Sequence, residues 1–107
     1  MHTAKKLKKM IDFKDNQLNT RVLLKDDDKL ALLAAIKKDQ LMAEHISPVD
    51  AFVYIVEGEV EFSINDNVNN TEPTDFKLKE GDVLFFKANE KHCVTGKKDS
   101  LMLVVRI

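Results

Sequence analysis

From residue 51 to its end, the sequence is a series of short apolar segments separated by turn-forming residues. The clearest is residues 59–64, in which Val60, Phe62 and Ile64 alternate with polar residues. Successive side chains of a β-strand point to opposite faces of a sheet, so this alternation predicts a strand with one face in a core and the other in water. Many short strands spaced by turns are typical of a β-sandwich or barrel. The other predicted strands are residues 20–24, 29–36, 51–56, 76–78, 83–86, 92–94 and 101–107.

The first third of the chain contains the one predicted helix and one ambiguous segment. Residues 3–13 place Leu7, Met10 and Ile11 on one face at helical spacing. Residues 29–36 are rich in Leu and Ala, which favour helix, but the segment also has the length of a strand that is buried on both faces. Because every segment downstream is β, we predict a strand there.

Composition limits the classes of protein to which the chain can belong. Its 107 residues are the length of one domain, which we take as residues 1–107. A net charge of −1 gives no basic field for nucleic acid, and the longest apolar run, residues 30–36, is too short to span a bilayer. The N-terminal lysines are not followed by the apolar stretch of a secretory signal. Cys93 is the only cysteine, which agrees with a reducing compartment, so we predict a cytoplasmic protein without nucleic-acid or membrane partners.

Two segments place a histidine beside a short apolar strand and a glycine turn. Residues 45–58 read HISPVDAFVYIVEG, and residues 81–92 read GDVLFFKANEKH. Together they resemble the two sequence motifs of the cupin family of small β-barrels. The resemblance covers about residues 30–107 and implies an all-β fold, a double-stranded β-helix or jelly-roll barrel. Residues 1–15 would add one short N-terminal α-helix to it.

The match to the cupin motifs is partial at the positions that bind metal in the family. His45 and His92 match histidine positions, whereas Ser47 occupies the second histidine position of the first motif and Ala51 occupies its glutamate position. Family members often hold a divalent metal ion inside the barrel with three His and one Glu.

The resemblance therefore implies one of two states for the site. In one, His45 and His92 bind a single divalent ion (Fe, Mn, Ni or Zn), with Asp50 or Glu44 as an additional oxygen ligand. In the other, no metal is bound and both imidazoles form hydrogen bonds inside the pocket. The predicted pocket residues are His45, Ser47, Val53, Ile55, Phe62, Val83 and His92.

Three functions are compatible with such a pocket. The first is a binding protein that holds a small polar or anionic molecule, with or without a metal ion, and uses the histidines as polar anchors in an apolar pocket. The second is a metal-dependent enzyme of the oxygenase or isomerase type acting on a small substrate. The third is an effector domain that acts through a separate regulator. The replacement of two usual ligands favours the first, and whether the chain is an enzyme is left open.

A second apolar stripe is predicted on the strand face that points away from the pocket. It consists of Phe52, Tyr54 and Val56, and we expect Met102 and Val104 to add to it from the last strand. A small barrel exposes a polar outer face, so a second apolar face needs a cover, either the N-terminal helix or another subunit. Cupins commonly dimerise through such surfaces, and the resemblance implies a homodimer.

Overall fold

The computed structural model describes residues 4–65 and 73–107, except for the side chains of residues 43–45. Within these residues it has an all-β architecture of two antiparallel sheets, as predicted. One sheet has five strands in the order β1-β2-β9-β4-β7, and the other has four in the order β3-β8-β5-β6. The strands are β1 Asn19–Asp26, β2 Lys29–Ile36, β3 Leu41–Ile46, β4 Ala51–Glu57, β5 Glu59–Asn65, β6 Thr74–Lys79, β7 Val83–Phe86, β8 Lys91–Gly96 and β9 Ser100–Arg106.

The core lies between the two sheets and follows the alternation of the sequence. On β5, Val60 and Phe62 are buried and their polar neighbours are partly exposed. On β4, Val53 and Ile55 are fully buried, whereas Tyr54 faces outward. Pairing of apolar inner faces therefore joins the sheets. The central cluster is Ala34, Ile36, Ala51, Val53, Ile55, Val60, Phe62, Ile64, Leu78, Phe86, Val94 and Met102.

The predicted N-terminal α-helix is wrong. Its described part contains a single 3-10 turn, Leu7–Lys9, and Lys6 makes no side-chain capping hydrogen bond there. A helix of 11 residues is too short to be stable without tertiary packing of a whole face, and the segment is held instead by separate contacts, including a 2.7 Å hydrogen bond from Arg21 Nη1 to the carbonyl oxygen of Met10. Residues 1–3, where the predicted helix begins, lie outside the described residues.

The N-terminal segment nevertheless covers part of the outer face of the five-stranded sheet. Leu7, Met10 and Ile11, the apolar residues that defined the predicted helix face, pack against a small outer cluster. The buried members of that cluster are Leu33, Ala35 and Leu101. The second half of β2 is consequently covered on both faces, which explains why residues 33–36 are all apolar.

Strand β9 is oriented opposite to the prediction. Met102 is 1% exposed in the central core and Val104 packs against the same core, so both point inward. The outward residues are Leu101, Leu103 and Val105. Both sets are apolar, so alternation along this strand carries no information about which set faces the core, and a one-residue error exchanges them.

Strand β3 was not among the predicted strands, because residues 41–46 mix apolar and polar residues. It pairs with β8 and forms one edge of the four-stranded sheet. Within residues 4–65 and 73–107, no helix has the length and apolar character needed to cross a membrane.

Candidate functional site

The pairing of β3 with β8 brings the two motif histidines into register. His45 is the direct antiparallel partner of His92. Directly opposed residues of such a pair have Cα atoms about 4.5–5.5 Å apart. The backbone positions that the motifs identified are therefore neighbours, although the side chains of His45 and Glu44 lie outside the described residues.

His92 is buried in the inner face of the four-stranded sheet, with 3% of its surface exposed. Its ring packs in one cluster with two phenylalanines, whose centroids are 5.9 Å apart: the centroid of Phe86 is 4.6 Å from that of His92, and Phe62 stacks on His92 at 5.7 Å with an interplanar angle of 20°. Nδ1 is 3.3 Å from the carbonyl oxygen of Glu90. In the tautomer with the proton on Nδ1, that nitrogen donates to the carbonyl and Nε2 carries the lone pair. These contacts fix the plane of the ring.

A cavity of about 190 Å³ lies between the inner faces of the sheets, with His92 in its wall. The wall is mostly apolar, and its polar members are Thr20, His92 and Arg106. A small apolar pocket with a few polar groups is the usual form of a ligand site. The remaining lining residues are Leu18, Leu32, Ala34, Met42, Phe62, Phe86, Val94, Met102 and Val104.

Only some of the predicted pocket residues line this cavity. Phe62 and His92 do. Val53 and Ile55 point inward and are fully buried, but they are packed within the core and do not line the cavity. The structure places Val83 outside the cavity, because Leu84 and Phe86 are the inward residues of β7 and Val83 is 44% exposed.

The polar candidates near the first motif are engaged elsewhere. Ser47 is buried, and its hydroxyl donates a 2.7 Å hydrogen bond to the carbonyl oxygen of Val49. The carboxylate of Asp50 accepts a 2.8 Å hydrogen bond from the Ala88 N–H and pairs with Lys87 at 3.7 Å. Neither residue lines the cavity. Among the side chains that the structure describes, no group of three His, Cys, Asp or Glu residues could hold a metal ion.

Sequence reasoning missed Arg106, which among the described side chains is the one strongly charged residue in the cavity wall. A basic residue at the end of an apolar strand is typical of a solvated strand end. Its inward position is visible only from the register, in which Arg106 pairs with Leu30 on one side and Ala51 on the other.

Comparisons with known proteins agree with this architecture. The family model described as "Cupin domain" matches residues 32–106. A conserved protein of unknown function from Streptococcus pyogenes is similar over 99% of this chain and 88% of its own, with 23% identity and a TM-score of 0.81. A cupin superfamily protein from Desulfitobacterium hafniense is similar over 100% of this chain and 92% of its own, with 21% identity and a TM-score of 0.81.

An enzyme also shares the fold. Hydroxypropylphosphonic acid epoxidase from S. wedmorenis is similar over 86% of this chain and 51% of its own, with 17% identity and a TM-score of 0.69. At these identities the similarity concerns the fold alone. No curated protein matches the sequence.

Proposed function

The chain belongs to the cupin family, and from its cavity we propose that it is a binding protein that holds a small molecule inside the barrel. The observation that carries this proposal is an apolar cavity of about 190 Å³ with a buried histidine in its wall. A volume below the roughly 300–1,000 Å³ of pockets for drug-sized ligands suits a compact molecule. The proposal treats residues 1–107 as one barrel domain, and the single cysteine supports a cytoplasmic location.

The methionines provide a test that reports on the cavity directly. Met42 and Met102 line it, whereas Met10 packs on the outer face of the five-stranded sheet. In protein with ¹³C-labelled methionine methyl groups, titration with 1-butanol and with butyrate should shift the signals of Met42 and Met102 and leave that of Met10 unchanged.

A cavity-filling variant is the matched control. Ala34 is 3% exposed and lines the cavity, so Ala34→Leu adds apolar volume inside it. We expect this variant to stay folded and to lose the methyl shifts of Met42 and Met102. Equal shifts at Met10, or undiminished shifts in the variant, would contradict binding in the cavity.

The register of the two histidines favours a second candidate, a metal-dependent enzyme of the oxygenase or isomerase type. His45 and His92 are direct partners across β3 and β8, so two imidazoles could bind one Fe, Mn, Ni or Zn ion. Such an ion would supply Lewis-acid polarisation of a substrate oxygen. The described donor set is small for this role, because Asp50 is held by Ala88 and Lys87 instead.

Metal analysis tests the second candidate. If that candidate is correct, protein purified without a chelator should retain a stoichiometric ion. The double variant His45→Ala with His92→Ala should then lose the ion, and the wild-type protein should lose it on acidification because protonated imidazole cannot bind metal. Retention by the double variant would place the ion elsewhere.

The outer face of the five-stranded sheet supports the proposal of a homodimer. One row of directly paired residues crosses all five strands and is entirely apolar, and we call it the outer apolar row. Its end members, Leu24 and Phe85, are 74% and 71% exposed, and the N-terminal segment covers a different part of the face. A second copy with two-fold symmetry would cover the row with the same surface. The row consists of Leu24, Ala31, Val105, Phe52 and Phe85.

A further inference from the structure

We propose that Arg106 binds the anionic group of the ligand and that the ligand is a small carboxylic acid with a short apolar tail. This inference rests on the proposed binding function and names the chemical class of its ligand.

The position of Arg106 connects the cavity to solvent. It is the last residue of β9 and has the same inward orientation as Met102 and Val104. Arg106 lines the 190 Å³ cavity and also a larger open pocket of about 570 Å³, which we call the mouth and which extends to the outer apolar row at Leu24, Ala31 and Val105. A group bound to its guanidinium would therefore sit at the mouth, with the apolar interior directly behind it.

The guanidinium of Arg106 has no counterion within the described part of the chain. The side chain is partly buried, and no hydrogen bond or ion pair joins it to residues 4–65 or 73–107. The carboxylate of Asp50, which immediately precedes its strand partner Ala51, pairs with Lys87 instead. A partly desolvated cation that has no partner among the described residues favours a bound anion.

Charge at the mouth also favours an anion. Among its side chains, the open pocket is lined by three basic ones, those of Lys25, Lys29 and Arg106, and by one acidic one, that of Asp26. Register places Lys25 and Arg106 in one inner row, on either side of Leu30. Clustered like charges of this kind raise the local concentration of oppositely charged ligands.

The chemistry of the walls selects a carboxylate with an apolar tail. A guanidinium presents a planar fork of donors that matches the two oxygens of a carboxylate. Beyond Arg106, the described side chains of the cavity wall offer only Thr20 and His92 as polar groups, which is too few to satisfy a polyhydroxylated or multiply charged molecule. The interior therefore suits a hydrocarbon tail, and its small volume requires a short one.

The test compares an acid with a neutral molecule of similar size. Butyrate and 1-butanol are titrated at constant ionic strength, with the methyl signal of Met102 as the readout. We expect butyrate to bind more tightly than 1-butanol to the wild-type protein. Arg106→Gln should weaken butyrate binding about tenfold or more, because a charge-assisted pair is lost, and should leave 1-butanol binding within about twofold.

Two further variants control for charge and for folding. Lys98→Gln removes one positive charge two residues before β9, whose first residue, Ser100, lies about 20 Å from Arg106 at the rise of an extended strand, and should leave the preference for butyrate unchanged. Arg106→Lys keeps the charge without the planar fork and should retain part of the preference.

The outcomes separate this inference from the function on which it rests. If 1-butanol binds as tightly as butyrate, the cavity binds ligands but does not select an acid. This result would overturn the inference and leave the proposed binding function standing. A preference for butyrate that persists in Arg106→Gln would also overturn it. If neither probe shifts the Met102 signal, the binding function fails and the inference fails with it.

Discussion

Replacement of Gly58 by alanine should destabilise the fold strongly. Gly58 joins β4 to β5 with φ of +96°, where a side chain is strained by about 1–3 kcal/mol. An added Cβ would collide with Ser100 Oγ and lie 2.6 Å from the carbonyl oxygen of Asp99. Ser100 is fully buried, and its hydroxyl accepts a 2.9 Å hydrogen bond from the Glu59 N–H and lies 2.7 Å from the Lys98 carbonyl oxygen. Displacing it would add about 1–3 kcal/mol, for a total of about 2–6 kcal/mol.

Gly81 provides a matched control for this prediction. Its φ is +90°, close to that of Gly58, but an added Cβ would meet no atom within 4 Å. Gly81→Ala should therefore lower the free energy of unfolding by about 1–3 kcal/mol from backbone strain alone. Urea denaturation of both variants measures the difference, which is the steric and hydrogen-bond contribution at Ser100. Equal destabilisation of the two variants would refute the reasoning.

Two further predictions concern the outer face and the N-terminal segment. Phe85→Glu should reduce the molar mass measured by light scattering from that of a dimer to that of a monomer. Phe13→Glu replaces an exposed phenylalanine outside the outer apolar row and should leave the molar mass unchanged. A wild-type protein that is already monomeric at micromolar concentration would contradict the dimer. Lys37 Nζ lies 2.9 Å from Asp15 Oδ1, and this contact holds the pKa of the Asp15 carboxyl below its ordinary value of 3.8. The contact therefore stabilises the fold at pH values above 3.8, and this stabilisation is lost as the pH falls through the lowered pKa. In Lys37→Gln, carboxyl NMR should show the pKa of Asp15 returning toward 3.8, and an unchanged titration would disprove the pair.

The sequence predicts the strands well where polar and apolar residues alternate. Strand β5 is the clearest case, because every second residue must enter the core. Strand β2 is predicted for a different reason: its length is compatible with a buried strand, and every segment downstream is β. The α-helix at residues 3–13 fails because three apolar residues at helical spacing also suit an extended segment with a single turn, and tertiary contacts decide between the two.

The candidate site is predictable only in part. The motif spacing identifies His45 and His92, and the register pairs them. Arg106 and Met102 are not identifiable in this way, because their place in the cavity depends on the orientation of β9. That orientation is set by pairing with two neighbouring strands, which are distant in sequence. The outward position of Val83 is not predictable for the same reason, since β7 is apolar at all four positions.

Strand β9 contributes residues both to the cavity wall and to the outer apolar row, the two surfaces on which the proposals rest. Met102, Val104 and Arg106 face the cavity, and Val105 belongs to the outer apolar row. A one-residue slip would exchange the two sets and remove the guanidinium from the mouth.

The contact between Gly58 and Ser100 lies at the start of β9, six residues before Arg106. Register along the rest of the strand is specified independently, because β9 pairs over its length with β2 on one side and β4 on the other. We therefore expect Gly58→Ala to lower stability without changing the register. Measured at a temperature at which the variant is folded, its preference for butyrate over 1-butanol should equal that of the wild-type protein. A preference that disappears in Gly58→Ala but persists in Gly81→Ala would show that the contact at Ser100 sets the register, and that the inward position of Arg106 depends on it.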